Sequence, residues 1–109
     1  MWKAGAPITI AATNTPQQLP GTVGLVKALR LVPQDGNTGK IYLGDETMDF
    51  GETPDEGIID WAFPPDDTVD LITPRIEIKE NDAPNGINVN QLRVAGTQND
   101  VIFWAYLEQ

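Results

Sequence analysis

The sequence predicts an all-β fold, an antiparallel β-sandwich of the jelly-roll type with long acidic loops. Short segments rich in β-branched and aromatic residues alternate with turn sequences along the chain. The 109 residues include 9 prolines and 10 glycines, which suits a fold with many turns. No stretch keeps helical periodicity for two full turns. We expect one sandwich domain at residues 7–109, preceded by an N-terminal arm at residues 1–6.

The first half of the chain contains three predicted strands. Ile8–Ile10 is β-branched and alternating, and an apolar segment from Thr22 to Pro33 follows two turn sequences. A polar turn then leads into Ile41–Leu43. Because Asn37 and Gly39 tolerate positive φ, we expect the chain to reverse there, so that Ile41–Leu43 pairs back onto the preceding strand as a β-hairpin.

The second half begins with an acidic stretch, Glu46–Gly57, in which we expect a long surface loop. The last predicted strand is apolar at every position from Val101 to Leu107, so it should be central or contact a partner through one face. The predicted strands of this half are Ile58–Phe63, Thr68–Thr73, Arg75–Lys79, Gln91–Ala95 and Val101–Leu107.

Charge is distributed unevenly. The net charge is −9, and 13 of the 16 acidic residues lie between Asp45 and Asp82 beside only Arg75 and Lys79, so this segment carries −11 and the rest +2. Such a balance argues against nucleic-acid binding, which requires clustered cations. An acidic surface keeps a protein dispersed or meets a basic partner.

The hydrophobicity pattern of the sequence shows neither a membrane span nor a signal peptide. No apolar run approaches the roughly 18 residues of a membrane span, and the first residues lack the apolar core of a signal peptide. We expect a soluble protein made in the cytoplasm that does not bind a membrane.

The missing residue types exclude much chemistry. The chain has no cysteine, histidine or serine, so disulfides, thiolate metal sites, imidazole–zinc sites and Ser-His-Asp triads are impossible. The abundant carboxylates would need a substrate cleft to act as a glycosidase pair, and nothing in the sequence marks one. We expect no enzymatic activity, no catalytic residue, no cofactor and no metal site.

Two motif-like readings of residues 35–46 fail on particular residues. A calcium loop beginning at Asp35 requires glycine at its sixth position, where Lys40 stands. A phosphate loop ending at Gly39-Lys40 requires Ser or Thr next, where Ile41 stands. Ordinary turn chemistry explains the stretch.

The aromatic residues are the candidate contact residues. Trp61, Phe63 and Trp104 lie at strand spacing, which is typical of a core or a subunit interface and is also found in carbohydrate-binding modules. Trp2, near the chain start, is a candidate partner anchor. The candidate protein-interface residues are Trp2, Trp61, Phe63, Trp104 and Tyr106.

Two separate stretches carry a resemblance. The first stretch, in the first half of the chain, consists of Pro16-Gln17-Gln18-Leu19-Pro20, then an apolar strand, then Gly36-Asn37-Thr38-Gly39-Lys40-Ile41-Tyr42-Leu43-Gly44-Asp45. The second stretch leads into the last strand and reads Val94-Ala95-Gly96-Thr97-Gln98-Asn99-Asp100-Val101. This pattern of a "QQLP" turn, an "NTG-x-IY-x-GD" hairpin and a "V-x-G-T-x-x-D-x-V" turn resembles small virion proteins of tailed bacteriophages. It covers the first 45 and the last 18 residues, while the middle is longer and more acidic than the pattern.

The resemblance implies a non-enzymatic structural protein of a phage virion. A capsid decoration (cement) protein that binds and stabilises the head shell is the first interpretation, and a tail, neck, baseplate or fibre component is the alternative. It implies the major capsid protein or another virion protein as partner, and self-association as a trimer or dimer. A carbohydrate-binding module using Trp61 and Phe63 remains a further alternative.

Overall fold

The computed structural model describes residues 1–21, 23–51, 56–64 and 74–109, and these ranges form ten β-strands and two short 3-10 helices. The predicted all-β class is confirmed, and no described helix has the length and apolarity to cross a membrane. The predicted strand Thr68–Thr73 lies outside the described residues. The strands are β1 (Trp2–Ala4), β2 (Ile8–Thr9), β3 (Gln17–Gln18), β4 (Leu25–Pro33), β5 (Ile41–Asp49), β6 (Glu56–Ala62), β7 (Ile76–Ile78), β8 (Ile87–Asn88), β9 (Leu92–Ala95) and β10 (Val101–Glu108), and the 3-10 helices are Glu80–Asp82 and Val89–Gln91.

The strands form two antiparallel sheets packed as a sandwich. The first sheet has the order β1-β10-β4-β7, with β2 also paired to β10 and β8 to β4; the second has the order β3-β9-β5-β6. Four of the pairings are nested within one another: β1 with β10, β3 with β9, β4 with β7, and β5 with β6. Successive nested pairs fall in alternate sheets. This is one long antiparallel hairpin rolled up on itself, the jelly-roll arrangement that the sequence predicts.

The core lies between the sheets and is built from alternate residues of the central strands. Leu29 and Leu31 of β4, Leu43 of β5 and Ile102 of β10 are fully buried, because side chains two positions apart point to the same face of a strand. Burial of each such side chain contributes about 1.5–3 kcal/mol relative to exposure. The sandwich is therefore held mainly by aliphatic contacts between its two sheets.

The predicted hairpin of Ile41–Leu43 with the preceding strand is wrong. β4 pairs with β10, β7 and β8 in the first sheet, whereas β5 pairs with β6 and β9 in the second. Residues 34–40 therefore cross from one sheet to the other. The residues between β9 and β10 cross back at the same end of the sandwich, and hydrogen bonds join the two crossings.

A buried carboxylate joins these crossings. Asp100 is 4% exposed and accepts hydrogen bonds from the backbone N–H groups of Thr38 at 2.9 Å and Gly39 at 3.0 Å, and from the Thr38 hydroxyl at 3.2 Å. A buried carboxylate is stable only when such donors replace its water shell. We call Asn37, Thr38, Gly39, Asp100 and Val101 the latch.

The Asn37 amide completes the latch. Its Nδ2 donates to the Val101 carbonyl at 2.8 Å, and its Oδ1 accepts from the Val101 N–H at 2.9 Å, as a neighbouring strand would. Next to it, a Cβ atom on Gly39 would overlap the Thr97 hydroxyl. Asn37 and Gly39, which predicted a hairpin turn, instead form hydrogen bonds to a segment that is distant in sequence.

Both ends of the predicted surface loop at Glu46–Gly57 are strand, while its residues 52–55 lie outside the described residues. β5 runs on to Asp49 and β6 starts at Glu56, because Met48 is buried and fixes the end of β5 against the body of the sheet. Gly57 has φ +71°, and a Cβ there would overlap the backbone of Met48. The two strands come this close only because Gly57 has no side chain.

Two further segments also pair where the sequence predicted an arm and a turn. In residues 1–6, Trp2 and Ala4 lie opposite Leu107 and Ala105 of β10, so this arm is an edge strand of the first sheet. In the "QQLP" turn, Gln17–Gln18 forms β3 and pairs with β9 in the second sheet. Such two- and three-residue strands are too short for the period-2 pattern to show.

Candidate interaction surfaces

The second sheet carries a row of exposed apolar side chains along β6. Ile59, Trp61 and Phe63 are 51%, 51% and 59% exposed, while Ala62 between them is buried against the core. β6 lies at the end of the second-sheet order and pairs with β5. We call Ile59, Trp61 and Phe63 the outer strip. It places two of the five predicted interface residues, Trp61 and Phe63, side by side.

A single cation lies over the outer strip. The Lys40 ammonium is 4.8 Å from the centre of the Phe63 ring and 6.0 Å from that of Trp61, within reach of a cation–π interaction. Tyr42 lies opposite Trp61 across the β5–β6 pair, and its ring meets Phe50 edge-on at 5.1 Å between centroids. The aromatic surface therefore extends beyond the strip onto β5.

The two strands that carry this surface are acidic. β5 and β6 contain five acidic residues and no Lys or Arg. Asp45 accepts hydrogen bonds from the Thr47 hydroxyl and from the Thr47 N–H at 2.8 Å, and these bonds lower the pKa of its carboxyl below the ordinary value. Asp45 therefore stays ionised in the strand. The five acidic residues are Asp45, Glu46, Asp49, Glu56 and Asp60.

These carboxylates are not gathered into a metal site. Asp49 accepts from the Gly51 N–H at 2.7 Å and Asp60 from the Trp61 N–H at 2.8 Å, so each bonds to its own strand or turn. Within the part of the chain that the structure describes, no three acidic side chains come together around a common point. The negative charge is therefore distributed along β5 and β6 rather than gathered at one point.

The outer face of the first sheet carries a second apolar surface. Trp2 and Phe103 are 42% and 44% exposed, and the Arg30 guanidinium lies 4.7 Å from the centre of the Trp2 ring. Glu77 bridges Arg30 at 3.6 Å and Arg75 at 3.1 Å. A shallow depression between these residues is lined by Arg30, Val32, Phe103, Trp104 and Ala105. Trp2 is the one predicted interface residue on this face.

The remaining two predicted interface residues point the other way. Trp104 is buried in the core, and its indole N–H donates to the Ala6 carbonyl at 2.7 Å. The half-buried Tyr106 packs against the same core, with its ring 5.6 Å from that of Trp104. Trp104 is therefore a core residue that residues 5 and 6 cover, and the alternate set beginning at Phe103 faces outward.

Sequence reasoning missed Arg30, Lys40 and Phe103. β10 is confirmed as a central strand, between β1 and β4. Its two faces are equally apolar in the sequence, and the predicted interface residues Trp104 and Tyr106 lie on the face that packs against the core. Arg30 in β4 could have identified the outer face, because a charged residue among apolar ones faces outward. The register places Arg30 opposite Ala105, so Ala105 and its alternate neighbour Phe103 face outward as well.

Comparison of the chain with protein-family models, with curated proteins and with solved structures finds no match.

Proposed function

We propose that this protein is a non-enzymatic structural protein of a bacteriophage virion, a capsid decoration protein that binds the assembled head shell through the outer strip. The proposal rests on the exposure of Ile59, Trp61 and Phe63 in one row of the second sheet. Exposed aromatic residues in a row are typical of interface anchors. The carboxylates of β5 and β6 would supply the polar groups at the edge of such an interface.

The chemistry of the surface defines the shell site that it would fit. The partner needs an apolar depression for the indole and phenyl rings, bordered by Lys or Arg residues that meet the carboxylates of β5 and β6. Lys40 is a cation in this otherwise acidic region, and its contacts with Phe63 and Trp61, each worth about 0.5–1 kcal/mol at an exposed site, favour one arrangement of the two rings before binding. Preorganised side chains lose less entropy when a complex forms.

The jelly-roll topology and the sequence motifs add support of a different kind. Jelly rolls recur in viral capsid proteins and in lectins, although a fold by itself does not determine function. The motifs that resemble phage virion proteins contain the latch residues Asn37, Thr38, Gly39 and Asp100. The resemblance thus rests on residues that join the two sheets, and the contact surface carries the functional part of the proposal.

The test is a binding assay with phage capsids assembled without this protein. Cosedimentation should saturate at a fixed number of copies per capsid. Trp61→Ala and Phe63→Ala should each weaken binding about 30-fold, since truncating an interface anchor costs about 2 kcal/mol. Leu25→Ala, which removes another exposed apolar side chain away from the strip, is the matched control.

Salt dependence tests the electrostatic half of the proposal. Binding should weaken as salt rises from low to physiological concentration, because exposed charges are screened over about 8–10 Å. Equal affinity of the wild type, Trp61→Ala and Phe63→Ala proteins for the capsid would remove the outer strip from the proposal. Saturation at only a few copies per virion would favour a tail, neck, baseplate or fibre position.

A carbohydrate-binding module is the second candidate, because Trp61 and Phe63 present neighbouring aromatic rings. Sugars stack on open ring faces, and Lys40 lies over both rings, so a sugar would have to displace it. Lys40→Ala should therefore strengthen glycan binding if the module reading holds, and should weaken or leave unchanged the binding to capsids. A glycan array run with the wild type, Lys40→Ala and Trp61→Ala proteins separates the two functions.

A further inference from the structure

We propose that the outer face of the first sheet is a self-association surface, on which a second copy of this chain docks about a two-fold axis. The surface, which we call the first-sheet patch, consists of Trp2, Arg30, Val32, Phe103 and Ala105. The strand register places them on one face: Val32 lies opposite Phe103 and Arg30 opposite Ala105. Docking of a second copy on this patch does not depend on shell binding.

The shape of the patch is complementary to itself. Phe103 and Trp2 are exposed beside the shallow depression lined by Arg30, Val32, Phe103, Trp104 and Ala105. A two-fold axis brings the same surface of each copy together, so a projection of one copy can enter the depression of the other, and the reverse contact follows by symmetry. A projection and a depression on one face are what such an interface requires.

Charge selects a second copy as the occupant, and selects this face over the other. On the outer face of the first sheet Arg30 lies opposite Glu77, and Arg75 bonds to the same carboxylate, so this face carries both signs of charge. The strands of the second sheet hold five anions and one cation, Arg93, and Lys40 over the outer strip adds a second cation, which leaves a net charge of −3. Two copies meeting through their second sheets would repel, whereas the mixed charges of the first sheet can pair with their own image.

Arg30 and Glu77 are the expected pair across the axis. Within one chain their separation is 3.6 Å, longer than the 2.7–2.9 Å of a good charge-assisted hydrogen bond. The atom that makes this long contact is the terminal Nη2 of the Arg30 guanidinium. A carboxylate supplied by the second copy's Glu77 would give Nη2 a closer partner.

The face is large enough for a stable contact. The molecule measures 35 × 34 × 23 Å, and two packed sheets are thin across the layers, so the broad faces are the sheet faces. A standard interface takes about 800 Å² from each partner, which is less than one such face. Docking through the first sheet leaves the outer strip of the second sheet open.

Sedimentation over micromolar to millimolar concentrations tests the proposal on the free protein, without capsids. The wild type should form a dimer. Phe103→Glu should raise the dissociation constant at least 100-fold, an effect of about 2.7 kcal/mol, while Phe63→Glu, the same change on the opposite face, should leave the dimer intact. Circular dichroism confirms that both variants are folded.

A charge swap tests the two-fold symmetry. Arg30→Glu and Glu77→Arg should each be monomeric alone and should form a heterodimer when mixed, because opposite charges then meet at both ends of the axis. A monomeric wild type over the whole concentration range would overturn the proposal. So would dissociation by Phe63→Glu, assembly beyond a dimer, or failure of the mixed variants to associate. None of these outcomes bears on shell binding, which the cosedimentation assay measures separately.

Discussion

The latch and the outer strip reverse the usual distribution of polar and apolar groups. In the latch a carboxylate and an amide are withdrawn from water and bonded to backbone groups of a distant segment. In the outer strip two aromatic rings and an isoleucine are left exposed on a sheet. Exposed polar turns and buried aromatic rings would be the ordinary arrangement.

Buried polar residues and exposed aromatic residues have different effects on a protein. A buried polar group with every hydrogen bond satisfied fixes one geometry, because any other arrangement leaves a donor or acceptor unpaired. An exposed aromatic residue adds little to the stability of its own chain, so its presence in a row needs another explanation. The latch should therefore control stability, and the outer strip should control binding.

Removing the latch carboxylate should give the largest loss of stability. Asp100→Ala removes the buried carboxylate that accepts hydrogen bonds from the Thr38 N–H, the Thr38 hydroxyl and the Gly39 N–H, at a cost of about 3 kcal/mol. Urea unfolding measures the change. Asp35→Ala, an exposed carboxylate at the start of the same crossing, is the control and should change stability by less than about 0.5 kcal/mol. Equal effects of the two substitutions would contradict the latch.

Removing the latch amide should have a smaller effect of the same kind. Asn37→Ala loses the two hydrogen bonds to Val101 but leaves the Val101 carbonyl bonded to the Gln34 N–H at 3.0 Å. We expect a loss of about 1.5 kcal/mol in the free energy of unfolding. Gln98→Ala, at an exposed position in the facing turn, serves as the control for a side-chain amide outside the latch. A loss as large as that of Asp100→Ala would show that the two hydrogen-bond groups are not separable.

Truncating the outer strip should barely change stability. Trp61→Ala and Phe63→Ala should each shift the unfolding free energy by less than about 1 kcal/mol, since both side chains are more than half exposed. Thermal and urea unfolding of the same preparations used for capsid binding give this comparison directly. A loss of several kcal/mol would mean that the strip is part of the fold and would remove the contrast with the latch.

The exposed ion pair Lys3–Glu108 should have the smallest effect, visible only in alkali. The bond to Glu108 at 2.7 Å raises the pKa of Lys3 above its ordinary value of 10.5. A raised pKa in the folded state contributes stability that is present below 10.5 and is lost as the pH rises through the folded-state pKa. When the pH is raised from below this window to above it, the melting temperature should therefore fall slightly more for the wild type than for Lys3→Gln. An identical pH profile for the two proteins would show that the pair does not stabilise β1.

Local patterns predicted the fold class well. Alternation of polar and apolar residues in Arg75–Lys79 and Gln91–Ala95 identified β7 and β9, and the continuous apolar run Val101–Leu107 identified β10. The turn residues Asn37 and Gly39 were also recognised. What these residues bind was not predictable: Asp100 lies 62 positions beyond Thr38, and a polar turn looks the same whether it closes a hairpin or joins two sheets.

The candidate surfaces were predictable only in part, for a related reason. Trp61 and Phe63 were identified by their spacing, and the structure brings them together. Trp104 has the same residue type and lies on an equally apolar strand, yet residues 5 and 6 cover it. Whether an aromatic side chain is exposed depends on which segment crosses over it, and that is set by the topology rather than by neighbouring residues.

The position of β10 determines when the first sheet can be completed. β10 lies between β1 and β4 and also pairs with β2. These three strands are therefore synthesised well before the strand with which they pair. Until β10 leaves the ribosome, the nascent chain has open strand edges, which are sites of aggregation. Folding of this sheet should therefore follow the synthesis of β10, at the pace typical of proteins dominated by long-range pairing.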